Sequence, residues 1–481
     1  MKFHNPRYEQ EELTFDDVFL YQSFFEGSSR LRDISLIPEF SLWTSIPIVT
    51  ANMNAVSGKR MVETIARYGG LGILPQDMDM QTILRIIAHL QQAPIQYDTP
   101  MTVQNWNTVR DALGIVYKRA HRCVILVDED KKPMSLFTPS DLEQYDPFMT
   151  FDRIKKKSLI VAKEGIWDQE AFELMEREYI QNLPIVNEAW RLVGVLTKKN
   201  AVRNALYNPT TDKNWSLTLG VALGINAGFE KVEQLIEKGI QVFVLDTAHG
   251  YQRKMVEAIH QFRSTFWKDL TLIAGNVITK EWTQALLEAG ANGVKVWVWP
   301  GAMCTTRMQT AVGRPQFSAI YHCAKKAKSL WWFVRADGGI KHPRDFCLAL
   351  AAGANHVMMG TLFAGTYEST GEIKVDEQGR FYKENYGMAS QKAVFLRNAD
   401  LSPFQQAQKA LFREGISTSK IYLSPMRASV GDLVDEFTTG LRSSMTYVGA
   451  KTLKDYYEKA EIWIQNTSWY LEGTPHGKIR Q

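Results

Sequence analysis

The sequence predicts an α/β fold: a (β/α)8 TIM barrel interrupted by an inserted tandem module. Three observations predict it: eight short apolar runs alternate with helix-like stretches, a segment of the first half repeats itself, and no GxGxxG follows a strand. The runs read IPIVTA, GGLGIL, LTLGVAL, QVFVLDTA, LTLIAGNV, GVKVWV, FVRADGG and HVMMGTL. Buried strands alternating with helices argue for a parallel sheet, and eight is the number that closes a barrel. Between them, KVEQLIEKG and TQALLEAG carry apolar residues at helical spacing and end in Gly, a helix-stop signal. An open doubly wound sheet is the competing fold, but GGLG has the wrong spacing for its dinucleotide fingerprint.

The repeat lies between about Met101 and Asn208. Placing Ala112 over Ala171, a shift of 59 residues, aligns the copies without a gap through helix, strand, turn and strand. Val127 then falls on Val186, Asp128 on Asn187, Thr138 on Thr197 and Asp141 on Asn200. Repeats of one supersecondary unit bury their apolar faces against each other. The expected division is a first barrel part over 1–95, the insert over 96–210 and a second barrel part over 211–481.

Composition narrows the class. An apolar share of 45% with 22% charged residues is globular, and a formal charge of +4 without a dense Lys/Arg run argues against nucleic-acid or membrane-surface partners. The four cysteines, Cys123, Cys304, Cys323 and Cys347, show neither zinc spacing nor a secreted disulfide framework. The start MKFHNPRYEQEELTFDD lacks a signal-peptide core, and the most apolar stretch, 347–365, contains Asn355 and His356. A cytoplasmic enzyme is the expectation.

In a TIM barrel the active site forms at the strand C-termini. Those ends carry Asn52, Gln76, Asp246, Asn276, the GAMCTTR loop, Asp337 and Gly360. Each alone reads as a turn former; together they read as a site. Cys304 lies in a Gly-containing loop followed by two threonines, a setting that suits an activated nucleophile, whereas the other cysteines fall in strand or helix patterns. Gly338 and Gly339 in ADGGI, and Gly360 and Thr361 in MMGTL, follow the last two strands, where barrels frequently hold phosphate. Asp337 suits ribose hydroxyls, because a carboxylate accepts two hydrogen bonds. His249 in DTAHG is a weaker candidate.

LTFDDVFL, PIVTANM, GGLGIL, DTAHG, IAGNV, PGAMCTTR, RADGGI, VMMGTLFAG, YGMAS and GLRSSMTYVGA resemble, in order, the motifs of the IMP dehydrogenase/GMP reductase family. The inserted repeat resembles a pair of CBS modules. The resemblance implies that Cys304 attacks carbon 2 of a purine mononucleotide and that Thr306 and Glu414 move protons. It places Asp337 on the ribose, Gly339, Gly360, Thr361 and Tyr386 around the phosphate, and Met388 against the base. Asp246 and Asn276 fall where nicotinamide cofactor and base meet. A potassium ion held by the backbone of Gly301 and Cys304 is a further implied feature, as is a homotetramer, or an octamer of paired tetramers.

The family contains two activities. A dehydrogenase passes hydride from IMP to NAD and then hydrolyses the intermediate with a flap Arg-Tyr pair. The stretch QKAVFLRNADLSPFQQAQKALFREG has no Arg-Tyr, and Arg397 is followed by Asn398. HPRDFCLALAAGA, GTYESTGE and ALFREGIS resemble the CBS-containing GMP reductases, so NADPH-dependent reductive deamination of GMP is expected, with IMP dehydrogenase as the alternative. For the insert, Thr138 with Asp141, and Thr197 with Asn200, fit a ribose-binding pattern and imply regulation by ATP or GTP; the competing reading is a spacer. A nucleotide-sensing pseudoenzyme is the non-enzyme reading of the whole chain.

Several residues depart from the family pattern. Trp297 and Trp299 precede Cys304 where the family has glycines, and an overpacked side chain typically costs ~1–3 kcal/mol. Trp331 and Trp332 stand before ADGG, and Trp190 in a hairpin turn, also at expected glycines. UGA codons read as glycine in some bacterial lineages and as tryptophan in others, so these five are expected to be glycines of the host-made protein; a degenerate paralogue is the alternative. Ala302 replaces a Ser, and Asn54 an Asp.

Overall fold

The computed structural model describes residues 1–473 apart from 267–268, 298–303, 305, 387–401 and 412–417. All eight apolar runs become strands of one closed barrel: β1 (Ile48–Thr50), β2 (Leu71–Leu74), β3 (Gly220–Leu223), β4 (Val242–Asp246), β5 (Thr271–Val277), β6 (Gly293–Val296), β7 (Phe333–Asp337) and β8 (His356–Met359). Every pairing is parallel, and the circuit closes through β8 on β1, β1 on β2 and β2 on β3. Parallel strands covered on both faces read as unbroken apolar runs, which is why the sequence displayed them.

Eight helices supply the outer cover: α1 (Lys59–Arg67), α2 (Met80–Gln92), α3 (Phe229–Glu237), α4 (Arg253–Thr265), α5 (Lys280–Glu288), α6 (Gln316–Ser329), α7 (Pro343–Ala351) and α8 (Val430–Val448). The two predicted glycine stops follow α3 and α5, at φ 91° for Gly239 and 115° for Gly290. One large core fills the space between strands and helices, and a smaller one containing Val49, Ile73, Val242, Val244, Phe333 and Met358 fills the barrel interior. No helix among the described residues is long and apolar enough to cross a membrane.

The repeat forms two similar units between α2 and β3. Helix Val109–Val116 with strands Val124–Val127 and Pro133–Phe137 matches helix Asp168–Arg177 with strands Asn182–Val186 and Leu192–Thr197. The units meet where Cys123, Ile125 and Val127 cluster with Val195, and Leu192 N donates to Lys131 O at 2.9 Å.

Buried charges fasten this repeat to the barrel. Glu63 on α1 is fully buried between Arg67 (2.6 Å), Arg119 of the first unit (2.5 Å) and His89 (2.9 Å). Burial raises its carboxyl, yet the two guanidinium groups overcome that and hold it well below the usual carboxylate range. Arg203 of the second unit pairs with Asp432 (2.7 Å) and Asp435 (2.8 Å) on α8.

Candidate active site

Strand alternation determines which polar side chains reach the barrel mouth. On β4, Val242 and Val244 face inward while Phe243 and Leu245 pack under the helices, so Asp246 ends the inner row. On β7, Phe333 faces inward and Val334 and Ala336 outward, which sets Arg335 and Asp337 on the inner face. On β6, Val294 and Val296 face outward and leave Lys295 inside.

These three rows converge. Lys295 Nζ lies 2.6 Å from Asp337 Oδ2 and 3.1 Å from Asp246 Oδ1. Asp246 also accepts from Asn52 Nδ2 at 2.7 Å and from Asn276 Nδ2 at 3.2 Å. Burial opposes the charge on Lys295, but the two carboxylates reverse the balance and hold its ammonium above the ordinary lysine value. For Asp337, burial outweighs the pull of Lys295, and its carboxyl lies above the usual range. Lys295 occupies only part of the lone-pair capacity of these two carboxylates, and the rest can accept from donors such as ribose hydroxyls. Lys295 is the residue that sequence reasoning missed; the outward valines on either side of it were the available signal.

In the loop after β6, Cys304 is half-buried with its Sγ 3.4 Å from the Oγ1 of buried Thr306. The other three cysteines are buried, and burial pushes the thiols of Cys323 and Cys347 up to about 12 and raises that of Cys123 as well. Buried neutral thiols of this kind are inert. Gln316, at the start of α6, donates to Val296 O (3.1 Å) and Asp337 O (3.0 Å), joining the ends of β6 and β7 on either side of the Cys304 loop.

The expected phosphate sector lies on neighbouring strands. Gly338 (φ 71°) and Gly339 (φ 79°) leave β7 in left-handed backbone, and Gly360 and Thr361 leave β8, its partner. Tyr386 and Thr418 stand opposite each other at one place, the ends of the paired strands Phe381–Tyr386 and Thr418–Tyr422. That place is near β8, since a Cβ on Gly365 would sit 2.9 Å from Ile421 Cγ2. Met388, Glu414 and Gly301 lie outside the described residues, as do Trp299 and Ala302. Asn54 donates to Asp77 at 2.8 Å, and His249 packs edge-on against Trp282.

Asn276 is buried and its Oδ1 has no hydrogen-bond partner among the described residues. An acceptor left open beside Asp246 fits the carboxamide N–H of a nicotinamide. Among the described residues no group of His, Cys, Asp and Glu could hold a metal ion.

The four insert residues sort differently. Thr138, Thr197 and Asn200 line a cleft of about 570 Å³ between the two units and the start of α8. Asp141 caps its own helix by accepting from Thr138 N and Oγ1, both at 2.9 Å, and pairs with Lys157. Asn200 commits both ends of its amide, donating to Asp98 (2.8 Å) and accepting from Tyr68 Oη (3.0 Å).

The family model described as IMP dehydrogenase / GMP reductase domain matches residues 12–476. The chain belongs to this family. It is 44% identical to a GMP reductase of Mycobacterium tuberculosis over 98% of both chains, and 36% identical to an inosine-5′-monophosphate dehydrogenase of Aquifex aeolicus over 97% of this chain and 96% of that one. Among solved structures, a Trypanosoma brucei GMP reductase in complex with guanosine 5′-monophosphate is similar at a TM-score of 0.68, with 27% identity and 98% of both chains covered. The closed parallel barrel is thus the family's fold, and the Lys295 cluster stands at the strand C-termini, where that fold class builds active sites.

Proposed function

We propose that the chain is a GMP reductase, converting GMP and NADPH to IMP, ammonia and NADP+. The observation that carries this reading is the likeness to reductases across 98% of both chains, at higher identity than to dehydrogenases (44% against 36%). The lack of an Arg-Tyr pair in 391–415 agrees with it, because no water has to be activated.

Cys304 adds through its sulfur to carbon 2 of the guanine. The 2-amino group leaves as ammonia once protonated, with Thr306 Oγ1 and Glu414 as the proton carriers. A bound NADPH would supply hydride to carbon 2; the C–S bond then breaks and Cys304 is released as thiolate. Asp337 accepts from the ribose hydroxyls, Lys295 holds Asp337 and Asp246 in place, and Gly339, Gly360, Thr361 and Tyr386 surround the phosphate. Asp246 and Asn276 would hold the nicotinamide, with Asn276 Oδ1 available to accept from its carboxamide. Met388 packs against the base. No step is assigned to potassium, whose expected ligand Gly301 lies outside the described residues.

The insert is proposed as a CBS pair that takes a purine nucleotide in the cleft, where Thr138 and Thr197 are its contacts. A ligand selective for the folded chain raises its melting temperature, by about 2.7 kcal/mol of stability at a hundredfold excess over Kd. ATP or GTP titrations that leave the melting temperature unchanged would refute this. A cytoplasmic homotetramer of barrels completes the proposal.

The deciding assay follows reduced-nicotinamide absorbance with GMP plus NADPH and, separately, IMP plus NAD. A fall with the first pair, abolished by Cys304→Ala, is expected. A rise with the second would identify a dehydrogenase, and silence with both a nucleotide sensor.

A further inference from the structure

Among the described residues, nine non-glycine residues occupy left-handed backbone, and four of them are tryptophan: Trp43 (φ 64°), Trp190 (60°), Trp215 (60°) and Trp331 (63°). Tryptophan makes up only 13 of the 481 residues, so an even spread would put at most one of the nine there. Left-handed backbone drives the Cβ of an L-residue against its own chain, and for a bulky side chain it is an outlier.

The chain contains its own controls. In the turn Asp376–Arg380, the Asp376 carboxylate accepts from Gln378 N (2.9 Å) and Arg380 N (2.8 Å), Asp376 N donates to Arg380 O (3.1 Å), and the fourth residue is Gly379 at φ 77°. In Asn187–Arg191 the amide oxygen of Asn187 accepts from Ala189 N (3.1 Å) and Arg191 N (3.0 Å), with Asn187 N on Arg191 O (3.0 Å). In Asp212–Ser216 the corresponding distances are 2.8, 2.9 and 2.8 Å. The backbone is the same, yet the fourth residues are Trp190 and Trp215. A fourth copy, Asp128–Lys132, carries Lys131 at φ 64°, so the turn favours glycine without demanding it.

The helix ends repeat the pattern. After α8, Gly449 N donates to Thr446 O (3.1 Å) and Ala450 N to Met445 O (2.8 Å), and Gly69, Gly239, Gly290 and Gly353 close α1, α3, α5 and α7 in the same left-handed way. Helix α6 ends identically, Trp331 N on Lys328 O (3.1 Å) and Trp332 N on Ala327 O (2.9 Å), but Trp331 sits in the glycine seat.

The four indoles also do little packing. Trp331 is 85% exposed, Trp215 76%, Trp190 55% and Trp43 43%, and among the described residues none makes an aromatic or cation–π contact. By contrast Trp463 stacks on His4 at 3.7 Å and Trp282 on Tyr251 at 4.7 Å. Trp332 and Trp297 are not left-handed, so backbone conformation singles out only Trp190 and Trp331 of the five expected from the family pattern and adds Trp43 and Trp215.

We propose that positions 43, 190, 215 and 331 are glycine in the protein as its natural host makes it, because the host reads as glycine a UGA codon that other genetic codes read as tryptophan. The same codon at Trp297 would remove an indole whose ring lies 6.0 Å from Lys295 Nζ.

Two measurements test this, and neither depends on activity. Peptide masses of the chain isolated from its source are expected to carry glycine at all four positions; tryptophan at any of them overturns the proposal. Recombinant protein of the literal sequence is compared with the variant Trp43→Gly, Trp190→Gly, Trp215→Gly, Trp331→Gly. The variant is expected to unfold at a midpoint higher by roughly 3 °C. An equal or lower midpoint overturns the backbone argument on which the proposal rests.

Discussion

Lys295 Nζ lies 2.6 Å from Asp337 Oδ2 while also bridging to Asp246 at 3.1 Å, so a single buried ammonium holds the ends of β4 and β7 beside β6. Removing one partner of a buried ion pair leaves an uncompensated charge and typically costs about 3–5 kcal/mol. Lys295→Met is therefore expected to lower the melting temperature and to cut kcat/KM by about a hundredfold, the scale of a lost orienting contact. Lys295→Arg should recover most of the stability. A Met variant with parental kinetics would show that the carboxylates need no such anchor.

Cys304 is the half-buried thiol, and Cys123, Cys323 and Cys347 are enclosed. Brief treatment of the native chain with iodoacetamide should modify Cys304 alone, and GMP should protect it. Peptide mapping reads the outcome. Labelling of Cys323 or Cys347 at a comparable rate would contradict the packing described for α6 and α7. The variant Cys304→Ala should lose turnover by about a thousandfold or more.

Arg335 is fully buried in the barrel, and its Nε, Nη1 and Nη2 have no hydrogen-bond partner among the described residues. Burial pulls its guanidinium down to about 10, with the nearby Asp337 opposing that shift. Replacing an ill-compensated buried charge by an apolar side chain of similar volume often stabilises a protein by about 1–4 kcal/mol. Arg335→Met should raise the midpoint of urea unfolding, and a lowered midpoint would mean that Asp337 depends on this charge.

Lys383 is 2% exposed and donates to Tyr367 O, Ser369 O and Ser369 Oγ. Burial, reinforced by Arg60, pushes its ammonium down to about 7. Between about 7 and the ordinary lysine value, the unfolded chain binds a proton that the folded chain does not. Stability should therefore rise with pH through that window, by up to about 1.4 kcal/mol per pH unit from this group. Melting curves from pH 7 to 9 should show the rise in the parent and a flatter profile in Lys383→Met. An equal slope in both would assign the effect elsewhere.

The barrel was legible because its strands are covered on both faces, which leaves each as an apolar run ended by a polar residue at the mouth. QVFVLDTA shows this directly with Asp246, and PIVTANM with Asn52, whereas FVRADGG ends in Asp337 but carries Arg335 within the run. The repeat was legible because the second unit copies the first without a gap, and Cys304 was separable from the other thiols because it alone sits in a Gly-containing loop. Thr138 with Asp141 was ambiguous for a physical reason: the spacing that suits a ribose also makes a helix capping box, and the structure forms the box.

By itself, then, the sequence determined the fold class, the order of the strands and the chemical character of the barrel mouth, since these follow from periodicity and from what stands next to what. Only the tertiary structure decided that Lys295 joins Asp246 to Asp337, that Glu63 meets Arg119 across the insert, and that four tryptophans occupy left-handed backbone. Those are matters of closure and of local dihedral angle. A barrel brings together residues separated by tens of positions, and nothing in a one-dimensional pattern records the distance between them.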